Sequence, residues 1–328
     1  MTRPRDSVPA DRPASGPADL APFDDSTDLL GVPGELRARA ERDGYLFFRG
    51  LLDPEPILEL RSKVLDVLAR HGLRAPDAGP LGGRLDLARL AELPAERMRA
   101  DIGVTADIYA DLQKLPQLHR LPHHPSLLEV YRILLDTDEV FVHPRHIMRA
   151  MTSHPATGAT PPHQDFPLVQ GTSSTWTSWF PIGDCRLGNG PLAILRGSHR
   201  QGCLPVGTGA GDGHWTSWGA QLCAEETDWV GGDFAVGDVV TFPSFTVHRS
   251  LPSAVRDEIR ISMDVRYQRS DDVIEARSLT NHAERPWDEI YQGWSGEDAD
   301  LMYYWRPERL SYTPWDDSLV EPGARRIC

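Results

Sequence analysis

Apolar residues recur every three or four positions in the first half of the chain, and that pattern gives way to short dense runs in the second. The segment DPEPILELRSKVLDVLARHG carries Ile57, Leu58, Leu60, Val64, Leu65, Val67 and Leu68 at mixed three- and four-residue spacing. This is the period of a helix with one buried face. Proline near its start and Gly72 just past its end are the expected punctuation. ADIYADLQKL and PSLLEVYRILL are further helical candidates, and the helical pattern extends from about residue 31 to Asp138. From Glu139 the texture changes. EVFVHPRHIMRAM, GTSSTWTSWFPI, GPLAILRG, GDVVTFPSF and EIRISMDVRYQ are short, rich in β-branched and aromatic residues, and separated by Gly, Pro, Asp and Asn. Such runs predict strands. Helices followed by strands predict an α+β chain whose sheet carries any site.

The ends differ from both patterns. Residues 1–30 are rich in Pro, Asp, Ser and Ala and predict a flexible arm. Residues 270–328 are irregular, yet hold Trp287, Tyr291, Trp294, Tyr303, Tyr304, Trp305, Tyr312 and Trp315. Rings at that density predict a segment folded back over the core, as a lid, a substrate wall or simple packing. Residues 31–328 therefore read as a single domain, in a helical part to about 138, a strand-rich core to about 269 and an aromatic extension.

Composition removes several functions. A formal charge of −14 disfavours nucleic acid and anionic membrane surfaces. No apolar run reaches a membrane span, and the N-terminal segment lacks the apolar core of a secretory signal, so the expected location is the cytoplasm. Cys185, Cys203, Cys223 and Cys328 show no C-x-x-C spacing and are expected to be buried or idle thiols.

The chemistry begins at HQDF. His163 and Asp165 stand two apart, so in an extended segment both side chains face one point. GDVVTFPSFTVHRSLP supplies His248 at the end of a strand-like run. Two imidazoles and a carboxylate on one face of a metal leave open positions, the arrangement of non-haem Fe(II) oxygenases. Taken singly, a histidine near a strand end is more often a packed or hydrogen-bonded residue. Arg260, on the following run, changes that balance. If 2-oxoglutarate fills two open positions, its far carboxylate needs a fixed cation, and a guanidinium stays charged when buried. Ser250, two residues after His248, is placed to add a hydrogen bond.

HQDF, TSWFPIGDCRLGNGPLAILRGSHRQG, GDVVTFPSFTVHRSLP and RISMDVRYQ, in that order, resemble the successive motifs of the phytanoyl-CoA dioxygenase family over about residues 105–269. The resemblance implies a double-stranded β-helix (a cupin-like jelly roll) with flanking N-terminal helices. It implies iron ligands His163, Asp165 and His248, with Arg260 and Ser250 on the distal carboxylate of 2-oxoglutarate. Trp179 matches an aromatic that the family often places beside the cosubstrate. The implied reaction uses O2 and 2-oxoglutarate to oxidise a C–H bond, releasing succinate and CO2. Halogenating relatives replace the carboxylate ligand by a small residue; Asp165 is present here, which favours hydroxylation. The acidic chain with few lysines does not suit a coenzyme A thioester, so a different small-molecule substrate is expected.

Other residues carry weaker expectations. In VHPRHIMRAM either His146 and Met148 or Arg145 and Arg149 face the cavity, and His146 and Met148 are taken as the pocket pair. Asn189, Gly190 and His199 are expected at structural corners, and Arg256 and Arg266 in surface ion pairs. Two other functions remain open: a jelly roll that binds metal and ligand without turnover, and a zinc hydrolase built on the same three ligands. The hydrolase leaves Arg260 without a task.

Overall fold

The computed structural model describes residues 20–207, 219–306, 310–323 and 326. Its helices are α1 (Pro33–Asp43), α2 (Pro54–Arg70), α3 (Ala106–Gln113) and α4 (Pro125–Leu135), with shorter turns between them. The strands of the core are, in chain order, β1 (Leu46–Phe48), β2 (Val140–Val142), β3 (Ile147–Met151), β4 (Trp176–Pro181), β5 (Leu192–Leu195), β6 (Trp229–Val230), β7 (Val239–Pro243), β8 (His248–Ser250) and β9 (Arg260–Arg269). The larger sheet has the order β1-β7-β4-β9-β2, with β3 also on β9; the smaller is β8-β5-β6. All these pairings are antiparallel. The fold is the expected jelly roll with flanking helices.

The helices form where the apolar spacing predicts them. α2 begins at Asp53, whose side chain accepts from the Glu55 N–H and satisfies an otherwise orphaned donor. Its Ile57, Leu60, Val64, Leu65, Val67 and Leu68 are buried in one cluster with Met148, Ile261, Met263, Val265 and Tyr267 of the larger sheet. Each such aliphatic side chain contributes about 1.5–3 kcal/mol by leaving water. α4 docks through Tyr131, which stacks on Tyr267 at 3.9 Å and shares its hydroxyl with Ser178 Oγ at 2.6 Å. The helices thus cover the outer face of the larger sheet. Its inner face meets the smaller sheet through Phe47, Trp179, Val240, Phe242, Leu192, Ile194 and Val230.

Two expectations are corrected at the N-terminal side. Residues 1–19 lie outside the described residues, but 20–30, placed in the arm by composition, are packed. Ala21 bridges Val230, and Phe23 stacks on Phe47 at 4.8 Å. One aromatic ring inserted among Tyr45, Phe47 and Phe234 outweighs a polar composition. The helical part also hides a strand, since β1 pairs β7 at the edge of the larger sheet. At three residues it is too short to display a period.

The corner assignments hold their places. Gly190 has φ 71°, and a Cβ there would meet Leu251 O at 2.3 Å, so only glycine fits that turn. His199 serves the corner: its Nε2 donates to Glu41 O at 2.8 Å, tying it to α1. Cys185 and Cys203 are free thiols, whereas Cys223 is disulfide-bonded and not idle.

Candidate metal centre

The long strand β9 organises the site by alternation. Ile261, Met263, Val265 and Tyr267 face the helices. Arg260, Ser262, Asp264, Arg266 and Gln268 take the other face, and all of them are buried. Successive side chains of a strand point to opposite faces, so one ten-residue strand presents an oily surface to one layer and a row of polar groups to the interior.

His163, Asp165 and His248 converge beside that polar row. One candidate ligand atom from each lies within 4.8 Å of the others, and all three residues are buried. The two histidines form an antiparallel bridge, each N–H donating to the other's carbonyl at 2.9 Å. Their rings stand 4.2 Å apart, centroid to centroid. His163 Nδ1 lies 2.9 Å from Pro161 O, and His248 Nδ1 lies 3.0 Å from Thr246 O. A carbonyl only accepts, so each Nδ1 carries the proton and each Nε2 lone pair is left for a metal.

Asp165 arrives differently from the expectation of an extended H-x-D. Its backbone is helical, at φ −71° and ψ −33°, where a short turn Phe166–Val169 begins. The intervening Gln164 is what holds this geometry. Its side-chain NH2 donates to Gly202 O and Phe245 O, and its oxygen accepts from Leu204 N at 2.7 Å. Gln164 therefore points away and clamps the loop while its neighbours point inward.

Asp165 is oriented by two residues. Thr177 Oγ1 donates to its Oδ2 at 2.6 Å, and Arg266 Nη2 donates to its Oδ1 at 3.2 Å. Arg266, expected on the surface, is 8% exposed and points inward because position 266 shares the inner face of β9. Burial alone would raise the Asp165 pKa, but Arg266, the two imidazoles and Thr177 together hold it well below the usual carboxylate range. Burial pushes the His163 imidazole down to about 3, with His248 adding to the shift. His248 is lowered for the same first reason. Two neutral imidazoles and an ionised carboxylate are the protonation states that metal binding requires.

Arg260 begins β9 on the same inner face and is 7% exposed. Its Nη1 donates to Ser262 Oγ at 3.0 Å, and it makes no ion pair among the described residues. Burial lowers its pKa, yet a guanidinium remains charged at neutral pH. A buried cation without a carboxylate calls for an anion. The donor set thus suits a ferrous ion, and this arginine suits the far end of 2-oxoglutarate. Ser250 Oγ accepts from Thr160 N at 2.6 Å, which occupies a lone pair and not the hydroxyl proton. Trp179 is 1% exposed on the inner face of β4, edge-on to Phe234 at 4.8 Å.

A cavity of about 560 Å³ opens from this cluster, lined in part by His143, Arg145, Ile147, Arg149, His163 and Arg266. The odd-numbered residues of 143–149 face it. Met148 instead packs among the helices, and His146 is fully buried against His119 at 5.3 Å. The expected pocket pair is therefore replaced by the opposite parity, because Met148 pairs with Met263 on the outer face of β9. The aromatic extension divides its roles. Trp287, Tyr291 and Trp305 pack around Phe141 and Ile274, whereas Trp315 lines the cavity. Both the packing and the wall expectations apply, to different rings.

Residues 40–257 match phytanoyl-CoA dioxygenase (PhyH). The chain belongs to the phytanoyl-CoA dioxygenase family. It is an iron- and 2-oxoglutarate-dependent oxygenase, as the family and the donor set require. Among curated relatives, 1-deoxypentalenic acid 11-beta-hydroxylase of Streptomyces arenae is 28% identical over 258 residues, covering 75% of this chain and 84% of the relative. The enzyme of the same name from Streptomyces exfoliatus is 26% identical over 262 residues, covering 76% and 86%. The fold is shared with the epimerase SnoN from nogalamycin biosynthesis in complex with Fe3+, alpha ketoglutarate and nogalamycin RO. That likeness has a TM-score of 0.50 at 20% identity and covers 74% of this chain and 86% of SnoN. The non-heme monooxygenase ThoJ aligns with a TM-score of 0.51 at 18% identity, covering 84% and 95%.

Proposed function

We propose that the chain acts as one oxygenase domain, with residues 20–30 packed onto it, that hydroxylates, or otherwise oxidises, an unactivated C–H of a small secondary-metabolite substrate, with release of succinate and CO2. In this reading His163, Asp165 and His248 hold ferrous iron, and Arg260 with Ser250 receives the distal carboxylate of 2-oxoglutarate beside Trp179. One observation carries it: three buried donor atoms lie within 4.8 Å of one another, and one of them, on His163, belongs to a residue of the cavity wall. The curated relatives, named as hydroxylases of a small organic acid, support the substrate class.

A bound ferrous ion supplies the O2 activation that no side chain provides. The residues do the positioning. Pro161 O and Thr246 O fix both imidazole tautomers, leaving each Nε2 unprotonated. Arg266 and Thr177 keep Asp165 ionised and aimed. Ile147, Leu168, Val169 and Val320 supply apolar wall that keeps water from the reacting centre. No acid–base pair is required.

The test is anaerobic titration with Fe(II) and 2-oxoglutarate, followed by a compound screen. A visible metal-to-ligand charge-transfer band, then substrate-dependent succinate release under O2, is expected. A band without turnover on any compound indicates a binding protein. Hydrolysis without O2 or 2-oxoglutarate indicates the zinc enzyme.

A further inference from the structure

The cavity holds more positive charge than the metal centre uses. Five arginines line it: Arg99, Arg145, Arg149, Arg266 and Arg277. Three are committed, Arg99 to Asp101 at 2.6 Å, Arg149 to Asp264 at 2.7 Å and Arg266 to Asp165 at 3.2 Å. Arg145 and Arg277 make no ion pair among the described residues, yet neither is loose. Arg145 Nη1 donates to Thr280 Oγ1 at 2.9 Å and to Asn281 O at 3.1 Å, which leaves its other edge over. The Arg277 guanidinium lies 3.8 Å from the centroid of the Trp315 ring. Both also border a second pocket of about 470 Å³, together with Arg285. They therefore stand where the metal-bearing cavity meets an outer pocket. Glu284 lies on the rim of both, is exposed and makes no ion pair among the described residues, though its charge acts on Arg145; Asp317, the remaining acid of the lining, accepts from Trp315 Nε1 at 2.9 Å. In a chain of net charge −14, two pre-positioned cations at a cavity junction are a local exception.

We propose that the substrate carries a carboxylate, gripped by Arg145 and Arg277, with an apolar carbon body reaching inward to the metal. This rests on the oxygenase reading and names the class of molecule its cavity takes. The planar fork of arginine meets a carboxylate with two parallel hydrogen bonds. An immobilised guanidinium loses little further entropy on binding one. The same cavity wall includes Ile147, Leu168, Val169 and Val320, which suit hydrocarbon. An acid held at one end presents a fixed C–H to the other, so the two arginines set which position is oxidised.

The experiment uses the full chain and two probe series: adamantane-1-carboxylate and dodecanoate, each with its methyl ester and primary alcohol, and dodecanoyl-coenzyme A. Binding is read by calorimetry and by tryptophan fluorescence, with and without Fe(II) and 2-oxoglutarate. An acid is expected to bind about tenfold or more tightly than its ester and alcohol. Arg145→Gln and Arg277→Gln should each remove about tenfold of the acid's affinity and leave the ester unchanged, with Arg145→Lys recovering part. Equal binding of acid and ester, unaltered acid affinity in both variants, no acid binding at millimolar concentration, or tighter binding of the coenzyme A thioester would each overturn the proposal. Loss of the charge-transfer band with acid selectivity intact would instead reject the oxygenase reading alone.

Discussion

The two faces of β9 are built from one ten-residue strand and obey different physics. Outward, Ile261, Met263, Val265 and Tyr267 are buried by helices and need only fill space. Inward, Arg260, Asp264 and Arg266 are buried too, and each needs a partner. Asp264 has Arg149, Arg266 has Asp165, and Arg260 has a hydrogen bond to Ser262 but no ion pair among the described residues. The apolar face stabilises the fold whatever is bound. In the proposed reading the polar face is completed by metal and cosubstrate, and a buried cation without a carboxylate is what points to a site.

The sharpest way to break this contrast is to remove a ligand. His163→Ala or His248→Ala should abolish iron-dependent succinate formation while leaving the thermal unfolding midpoint near wild type; full activity in either variant rejects the assignment. Next come two substitutions on opposite faces. Met263→Ala should cost about 2–5 kcal/mol of stability in denaturant unfolding, with iron affinity unchanged. Arg260→Ala should raise the 2-oxoglutarate requirement by an amount equivalent to about 2–5 kcal/mol with iron still bound. An unchanged requirement would move the distal carboxylate to another residue.

Arg266→Met sharpens the comparison, since it removes an inward charge and keeps the bulk. Asp165 would then sit buried with Thr177 as its remaining donor, and iron affinity should fall about 10–100-fold in a metal titration. Acidification has the smallest effect per group. Burial pushes His119 and His123 down to about 4 and His143 down to about 3. Unfolded imidazoles take up protons below about pH 6.5, whereas these stay neutral until lower pH, so the unfolded state gains protons first. Stability should fall as pH drops from 7 to 5, by about 1–2 kcal/mol per imidazole. A flat midpoint over that range would contradict the burial.

The metal site was the most legible part, because its signal is residue type. His163, Asp165 and His248 stand out in any conformation that brings them together. Arg266 was missed, although its parity with Arg260 is visible in RISMDVRYQ: both sit at even positions, alternating with Ile261, Met263 and Val265. Gln164 was not legible at all, since nothing in HQDF says that the middle residue clamps three backbone groups of other loops. The pocket pair failed on parity. His146 and Met148 are as plausible as Arg145 and Arg149 until the register against β9 is known, and a shift of one residue exchanges the faces.

Sequence alone determined the helices over the outer face, the strand runs and the identity of the three donors, because local periodicity and side-chain chemistry travel with the chain. Tertiary structure decided which face of β3 lines the cavity, that Phe23 anchors a segment of disordered composition, and that two arginines without an ion pair among the described residues stand where two pockets join. Those depend on pairing between residues far apart along the chain, and such contacts leave no mark on either partner's neighbours.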